Sequence, residues 1–447
     1  MNGWDGERIA PDPVRVNGGD DTFSYKKNSY YQRLAADAVK EKIVDAITRN
    51  LNVCELSSAS NIIRLADLGC AVGSNTINAM QDVLEVIKNK YHSQCPSSKL
   101  PEFQVFFNDK TSNDFNTLFT SLPQQREYYS AGVPGSFHHR LFPQSSIHFA
   151  HCSYALHWLS KVPEELLDEN SPAWNKGRIH YTNAAEEVVN AYASQFAKDM
   201  ENFLNARAEE IVSGGMMVII MPGIPYGMPY SHLTNGVMYD LMATIFMELA
   251  NEQLITEAEL DSFNLPIYST SSEEMVKLVD KNGHFSIKTV ELTNPTSWLE
   301  GPIDIKAWTM HVRAAMEAMF TKHFRIEIID EMFNRLIRRL FEFSDKVESD
   351  AIGSITFSSH ICSTWFESYG IIHIDYVVLA RIHGKYRLAL KAPYRSKIRF
   401  DSFVALVRKA QGIEHDPPVI KYTPAAIRER NSALVGRSGR AHAGLRL

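Results

Sequence analysis

The chain has 447 residues, 45% of them apolar, and a formal net charge of −6. That is enough to bury a large core as one principal domain with elaborations, and the acidic balance speaks against a nucleic-acid partner for the chain as a whole. Five scattered cysteines (Cys54, Cys70, Cys95, Cys152, Cys362) form no CxxC pair, so neither a disulfide framework nor a zinc site is expected.

Residues 1–24 read as a flexible lead, rich in Gly, Pro and Asp and without the apolar core of a secretory signal. No apolar run approaches the ~20 residues of a membrane span, and a reducing, cytoplasmic location is the default expectation. From Tyr25 to Asn50 the spacing of Leu34, Ala38, Ile43 and Ile47 predicts a helix, with Asn28, Ser29 and Gln32 near its start. The stretch Ile62–Asn75, IIRLADLGCAVGSN, then reads as a buried strand ending in an acid, a turn built on Gly69 and Gly73, and a helix start. This arrangement places backbone N–H groups and a helix N-terminus against a bound cofactor. Ala71 stands where the middle glycine of a GxGxxG loop would be. Asp67 at the strand end would repel a pyrophosphate and attract an ammonium, which favours S-adenosylmethionine over a dinucleotide. Any buried strand followed by a glycine turn carries the same signature.

Phe103–Asp109, FQVFFND, is a second buried strand ending in an acid. Asp109 has two readings: acceptor for ribose hydroxyls, or N-cap of the helical segment that holds Phe115, Leu118 and Phe119. Gly132–Phe137 reads as a turn carrying an aromatic. Ile147–Trp158, IHFAHCSYALHW, is a strand running into a Tyr/His/Trp cluster, where open α/β sheets place ligands; a core strand with an aromatic end is the alternative. Glu186–Ser213 predicts a long helix stopped by Gly214 and Gly215, and Gly215–Gly223 another buried strand. Alternating strands and helices point to an α/β fold with a mostly parallel sheet. Residues 231–345 are mainly helical and rich in Met, Leu and Phe, an inserted cap interrupted by a strand-like Phe285–Leu292. Tyr376–Ile382 reads as a closing strand, so that 25–230 and 346–383 make up the α/β domain. From residue 384 the chain reads as a basic, disordered tail; from Lys385 on it carries 14 Lys/Arg against 4 Asp/Glu.

Several segments, in order and spacing, resemble the plant SABATH family: GGDDTFSYKKNSYYQ, LADLGCAVGSNT, FFNDKTSNDFNTLF, AGVPGSFHHRLFP, HFAHCSYALHWLSKVP, NKGRIHY and DSFNLPIY. These are S-adenosylmethionine-dependent methyltransferases of small carboxylic acids, with an N-methylating branch. The resemblance implies a class I, Rossmann-like methyltransferase sheet with a helical cap, and a homodimer. It places Tyr25, Asp67, Asn75, Asp109, Ser136 and Phe137 on the cofactor, and Gln32, Tyr154, His157 and Trp158 in the acceptor pocket. It also implies a magnesium site at Asn175, Asp261, Phe263 (through its carbonyl) and Asn264, an oxygen-rich set of the kind Mg²⁺ takes. Within the cap, Tyr239, Ile267, Trp308 and His311 are expected at the substrate's far end. The form HCSYALHWLSKVP is closer to members acting on terpenoid acids, iridoid or farnesoic, than to the salicylate and benzoate form. Tyr239 and Ile267 tilt the expectation toward an apolar acid over a glycoside. Two departures stand out: Asn17 where salicylate-type members have a lysine, and Lys110 after Asp109.

The chemistry agrees with these residue types. A carboxylate is ionised at pH 7, so methyl transfer to it needs positioning and exclusion of water and no strong base. Gln32 and Trp158 supply neutral donors that orient the acid without pairing it with a full charge. The other readings are N-methylation of a xanthine-like base, a jasmonate- or salicylate-type acceptor, and a non-catalytic small-molecule binding protein.

Overall fold

The computed structural model describes residues 15–58, 61–225, 227–293, 304–352 and 374–382. Its centre is one sheet built from β1 (Ile62–Leu68), β2 (Glu102–Asp109), β3 (Tyr129–Pro134), β4 (Ile147–Ser153), β5 (Ile211–Ile224), β6 (Thr270–Ser271), β7 (Phe285–Thr293) and β8 (Ile374–Ile382). The order is β3-β2-β1-β4-β5-β8-β7, with the short β6 beside β5. The ladders from β3 through β5 are parallel, and β8 runs antiparallel to both its neighbours.

The near-continuous apolar runs of β1, β4 and β5 are those of strands covered on both faces. Their side chains alternate strictly. Ile63, Leu65, Phe149, Met216, Val218 and Ile220 join the core under α2 (Tyr30–Asn50) and α4 (Ser74–Gln94). Ala66, Leu68, Ala150, Cys152, Met217, Ile219 and Met221 join the core on the other face, with α6 (Glu186–Glu210) and the cap. Period-two alternation thus sends Asp67 and His151 toward α2 and α4. Helix α4 buries Ile77, Met80, Leu84, Ile87 and Tyr91, one helical stripe.

The predicted helix over 25–50 is broken at Ser29 into α1 (Tyr25–Asn28) and α2. Helix α6 ends at Glu210, and the two glycines predicted to stop it lie inside β5. A bulge between the Ile147 and Phe149 pairings absorbs them, and a Cβ on Gly215 would press on Ile211 and on the His148 carbonyl. The strand-like 285–292 is no interruption of the cap. It is β7, paired with β8 at the sheet edge, and α9 (Ser272–Asn282) packs with it. The cap is therefore two separate insertions, α7 (Thr234–Asn251) with α8 (Glu257–Asp261), and α10 (Ile305–Phe320) with α11 (Ile326–Ile352). They meet through Phe246, Phe263, Phe320 and Phe324, whose ring centroids lie 4.6–6.4 Å apart. Two further short helices, α3 (Val53–Ser58) and α5 (Phe115–Thr120), fill loops.

Contrary to the cysteine spacing, Cys54 on α3 and Cys95 after α4 are joined as a disulfide across 6.2 Å between Cα atoms. Two distant loops bring them together, a pairing no CxxC pattern encodes. The described part of the lead is also held: Asn17 N–H donates to the Ala314 carbonyl (2.9 Å), Gly19 N–H to Asp114 (2.9 Å), and Asn17 accepts from Tyr25 N–H (2.9 Å). The basic tail from 384 lies outside the described residues. Among the described residues no helix is long and apolar enough to cross a membrane.

One buried ion pair braces the sheet's second face. Arg207 and Glu210 are each about 1% exposed and lie 2.7 Å apart. Arg207 also donates to the carbonyls of Phe137 (2.9 Å) and His139 (3.0 Å), while Glu210 accepts from the Phe142 amide (3.0 Å) and from Leu141. Arg207→Met leaves the Glu210 charge buried without its partner, and urea unfolding should show a loss of about 3–5 kcal/mol.

Candidate active site

The carboxyl ends of β1, β2 and β3 are tied together by two consecutive residues at the end of β2. The Asn108 carbonyl accepts from Gly69 N–H and Cys70 N–H, both at 2.9 Å. The Asn108 side-chain amide donates to the carbonyls of Val133 (2.7 Å) and Gly135 (2.9 Å). The Asp109 carbonyl accepts from Gly135 N–H (2.8 Å). Its carboxylate accepts from Ala71 N–H and Lys110 N–H, both at 2.7 Å. The glycine loop and the 134–137 turn therefore share one anchor. Asp109 is not the cap of α5; Asp114 is, accepting from Thr117 N–H (3.0 Å). Asp109 is half-buried, and burial, opposed by the two backbone donors, raises its carboxyl to about 6.

Gly69 has φ +81, and a Cβ there would overlap that of Ala155. Only glycine fits this approach. Gly73, with φ +112, opens α4. Ala71 takes φ +51 without being glycine, a left-handed conformation costing about 1–3 kcal/mol and held by Asp109 and by the Asn113 amide on its carbonyl (3.1 Å). The result is a close-fitting glycine loop with the Asp109 carboxylate bound to its backbone.

Asp67 is buried, and both of its oxygens are engaged. Oδ1 accepts from His151 Nδ1 on the neighbouring strand (2.7 Å) and Oδ2 from the Thr76 hydroxyl on α4. Asn75, on the first turn of α4, donates to the Ser29 carbonyl (3.2 Å). That bond draws the α1–α2 corner, and Gln32 one turn further on, to the start of α4. Tyr25 is buried beside Val72 and Ala314, and burial raises its hydroxyl pKa well above the usual value. Phe137 is buried edge-on against Phe203 (5.9 Å), with Ser136 half-buried before it. A small cavity of about 50 Å³ lies between α2 and α4, lined by Arg33, Asp37, Asn75, Asp82 and His151 among others. It adjoins the cofactor loop from behind the sheet.

On the acceptor side, Tyr154 sits at the β4 terminus with φ +52, its N–H on the Ile220 carbonyl (2.8 Å). His157 and Trp158 follow, half-buried, with ring centroids 5.3 Å apart. Trp158 pairs with Ile267 as an isolated antiparallel bridge. Tyr239 is buried on α7 against His180 (4.7 Å). Trp308 lies half-buried on α10. His311, one turn on, hydrogen-bonds the Asn28 carbonyl through Nδ1 (2.9 Å) and lies 6.1 Å from the Tyr25 ring, which puts it beside the cofactor residues. Asn17, at the position of the lysine in salicylate-type members, is turned onto the Phe23 carbonyl (3.2 Å) and Glu317.

Asn175 and Asn264 are buried in direct contact (2.6 Å), and Asp261 accepts from Gly177 N–H (2.7 Å). Among the described residues, Asn175 Oδ1 and Asn264 Nδ2 have no protein partner; the oxygen suits an oxygen-seeking cation. Phe263 is buried in the cap's phenylalanine cluster. Among the described residues, no three His, Cys, Asp or Glu side chains gather as a metal site. Sequence reasoning missed Asn108, Thr76, His151 and His180. The Asn of FFND and the His of HFAH and NKGRIHY were visible, but their partners lie on other strands.

Residues 12–359 match the family described as SAM dependent carboxyl methyltransferase. A loganic acid O-methyltransferase from Catharanthus roseus is 47% identical over 343 residues, 75% of this chain and 91% of that protein. A farnesoic acid carboxyl-O-methyltransferase from Arabidopsis thaliana is 41% identical over 274 residues, 61% of this chain and 77% of that one. A solved structure described as loganic acid methyltransferase with SAH superposes with a TM-score of 0.74 at 43% identity, covering 83% of this chain and 99% of that chain.

A carboxyl raised above its unfolded value holds its proton more tightly in the fold. The fold is thus penalised as pH rises through about 6, and below that value the Asp109 carboxylate takes up its proton. S-adenosylmethionine affinity, measured calorimetrically, should weaken as pH falls through about 6, and Asp109→Asn should bind more weakly at neutral pH and lose this dependence.

Proposed function

The chain belongs to the SAM dependent carboxyl methyltransferase family, and on that premise we propose that its acceptor is a terpenoid-derived carboxylic acid, an iridoid acid such as loganic acid before others. The chain is an S-adenosylmethionine-dependent O-methyltransferase that converts a small acid to its methyl ester. The choice of acid is carried by the 47% identity over 91% of a loganic acid O-methyltransferase, and it departs from the expectation of an apolar acid over a glycoside, since loganic acid carries a sugar. Nothing comparable favours a xanthine-like base, a salicylate- or jasmonate-type acid, or a non-catalytic role.

S-adenosylmethionine, when bound, supplies a methyl group on a sulfonium. The protein's part is placement. Asp109 and the Gly69–Ala71 cradle hold the nucleoside, with Tyr25 and Phe137 as aromatic walls. Asp67, fixed between His151 and Thr76, sits nearest the methionine end. Gln32 and Trp158 donate N–H groups to the acceptor carboxylate, and burial around the β4 terminus excludes water. Neutral donors leave the attacking oxygen its charge, and no proton transfer is required.

Incubation with labelled S-adenosylmethionine and a panel of iridoid, sesquiterpenoid, benzoic and xanthine acceptors tests this. The expected result is a methyl ester of a terpenoid acid; no ester from any acid of that class would sink the proposal. Gln32→Leu or Trp158→Phe should each lower kcat/KM for that acid by about 1–3 kcal/mol.

We extend the proposal to a magnesium ion held by Asn175 Oδ1, Asp261, the Phe263 carbonyl and Asn264. It is supported by the unpartnered Asn175 oxygen. Magnesium chloride should raise the melting temperature of the wild type and not that of Asp261→Asn; equal responses count against the site.

A further inference from the structure

Trp158 and His157 are not aimed by their own strand alone. The Leu159 N–H donates to the Pro266 carbonyl (2.8 Å), the Tyr268 N–H to the His157 carbonyl (2.9 Å), and Trp158 faces Ile267 across the bridge. Residues 265–268 form the wall that sets where these rings point. The wall is irregular and buried; one hydrogen bond lies within it, Ile267 N–H to the Leu265 carbonyl (2.8 Å), and its other polar groups are met from outside. Leu265 N–H donates to the Ile179 carbonyl (2.7 Å), its own carbonyl accepts from the Tyr192 hydroxyl (2.9 Å), and the Ile267 carbonyl is met by the ring of His180 (3.0 Å).

His180 is 2% exposed, inside a box of four tyrosine rings. The centroids of Tyr181, Tyr192, Tyr230 and Tyr239 lie 4.1–5.6 Å from its own. Its tautomer follows from geometry. The Thr182 N–H points at Nδ1 (3.3 Å), with the Thr182 hydroxyl also there (2.8 Å). A backbone N–H can only donate, so Nδ1 is the acceptor and the proton sits on Nε2. Nε2–H therefore donates to the Ile267 carbonyl. Burial pushes this imidazole down to about 3, so it stays neutral and the arrangement persists at working pH.

We propose that His180 is a positioning residue for methyl transfer: its Nε2–H holds the Ile267 carbonyl, which sets the bridge to Trp158 and the aim of Trp158 and His157 at the acceptor carboxylate. Its ring contact with Tyr239 ties the far wall of the pocket to the same point. This rests on the assignment of Trp158 to the acceptor side. His180 would then act on the acid and not on the cofactor, whose loops hang from the end of β2.

The experiment compares H180N, H180Q and W158F with the wild type in steady-state turnover of the acid, alongside calorimetric binding of S-adenosylhomocysteine. Asparagine sets an oxygen where Nδ1 accepts but falls short of Ile267; glutamine carries an N–H to the Nε2 position. H180N should raise KM for the acid and lower kcat/KM for it by about tenfold to a hundredfold, with cofactor affinity within about twofold of wild type. H180Q should recover most of that loss. Normal acid kinetics in H180N, an equal loss of cofactor affinity, or an H180Q as impaired as H180N overturns the role of His180. W158F with wild-type acid kinetics overturns the acceptor-side reading and this proposal with it, whereas an impaired W158F beside a normal H180N overturns only His180. Should H180N not fold, H180F, which fills the place of the ring and carries no N–H to the Ile267 carbonyl, takes its place. A loss of about threefold to tenfold in kcat/KM for the acid, with unchanged cofactor binding, supports the proposal, and no loss overturns it.

Discussion

The hydrogen-bond junction at Asn108 and Asp109 is the constraint on which the cofactor side depends. Two residues at the end of one strand satisfy the backbone of the loops after β1 and β3, at distances of 2.7–2.9 Å. Three parallel strands ending side by side leave many unpaired carbonyls and amides, and such groups are costly when buried. A side-chain amide and a carboxylate that reach both neighbours settle most of them at once. The same bonds hold Ala71 in a conformation that an unbound loop would leave. Pre-organisation here is a by-product of satisfying the backbone.

The acceptor side follows a different plan. Its donors lie at the end of β4, but their orientation comes from a segment more than a hundred residues later, docked by a bridge and by His180, Tyr192 and Ile179. That segment joins α8 of the first cap insertion to β6 of the sheet.

Charge is sparing at the chemistry and concentrated beneath it. On the proposed acceptor side stand amide, indole and imidazole groups, neutral donors of the kind that orients a carboxylate without pairing it with a full charge. The full charges that are buried serve the frame. Arg207 and Glu210 clamp the backbone of residues 137–142 that presents Phe137, and Asp67 is fixed by partners from β4 and α4. A buried pair of this kind adds little net stability but makes departure from its geometry expensive.

Local sequence determined the elements with one-dimensional signatures. The apolar runs of β1, β2, β4 and β5, the stripe of α4, the glycine turn and the acids at the strand ends were legible because their periods and turn chemistry are local properties. Family resemblance added candidates for the cofactor and acceptor residues, and the family itself stands. The misreadings share a cause. Gly214 and Gly215 looked like a helix stop because a bulge is defined by the partner strand; Phe285–Leu292 looked like part of the cap because its partner β8 lies some ninety residues on; and Cys54 and Cys95 looked unrelated because two separate loops bring them together. Asn108, His151 and His180 carried no signal of their own, since an asparagine or histidine becomes an anchor only through the carbonyl or carboxylate opposite it. Sequence by itself determined which segments form strands and helices and where a cofactor turn lies. Only the tertiary structure decided which polar groups pair, because pairing depends on distances between residues far apart in the chain.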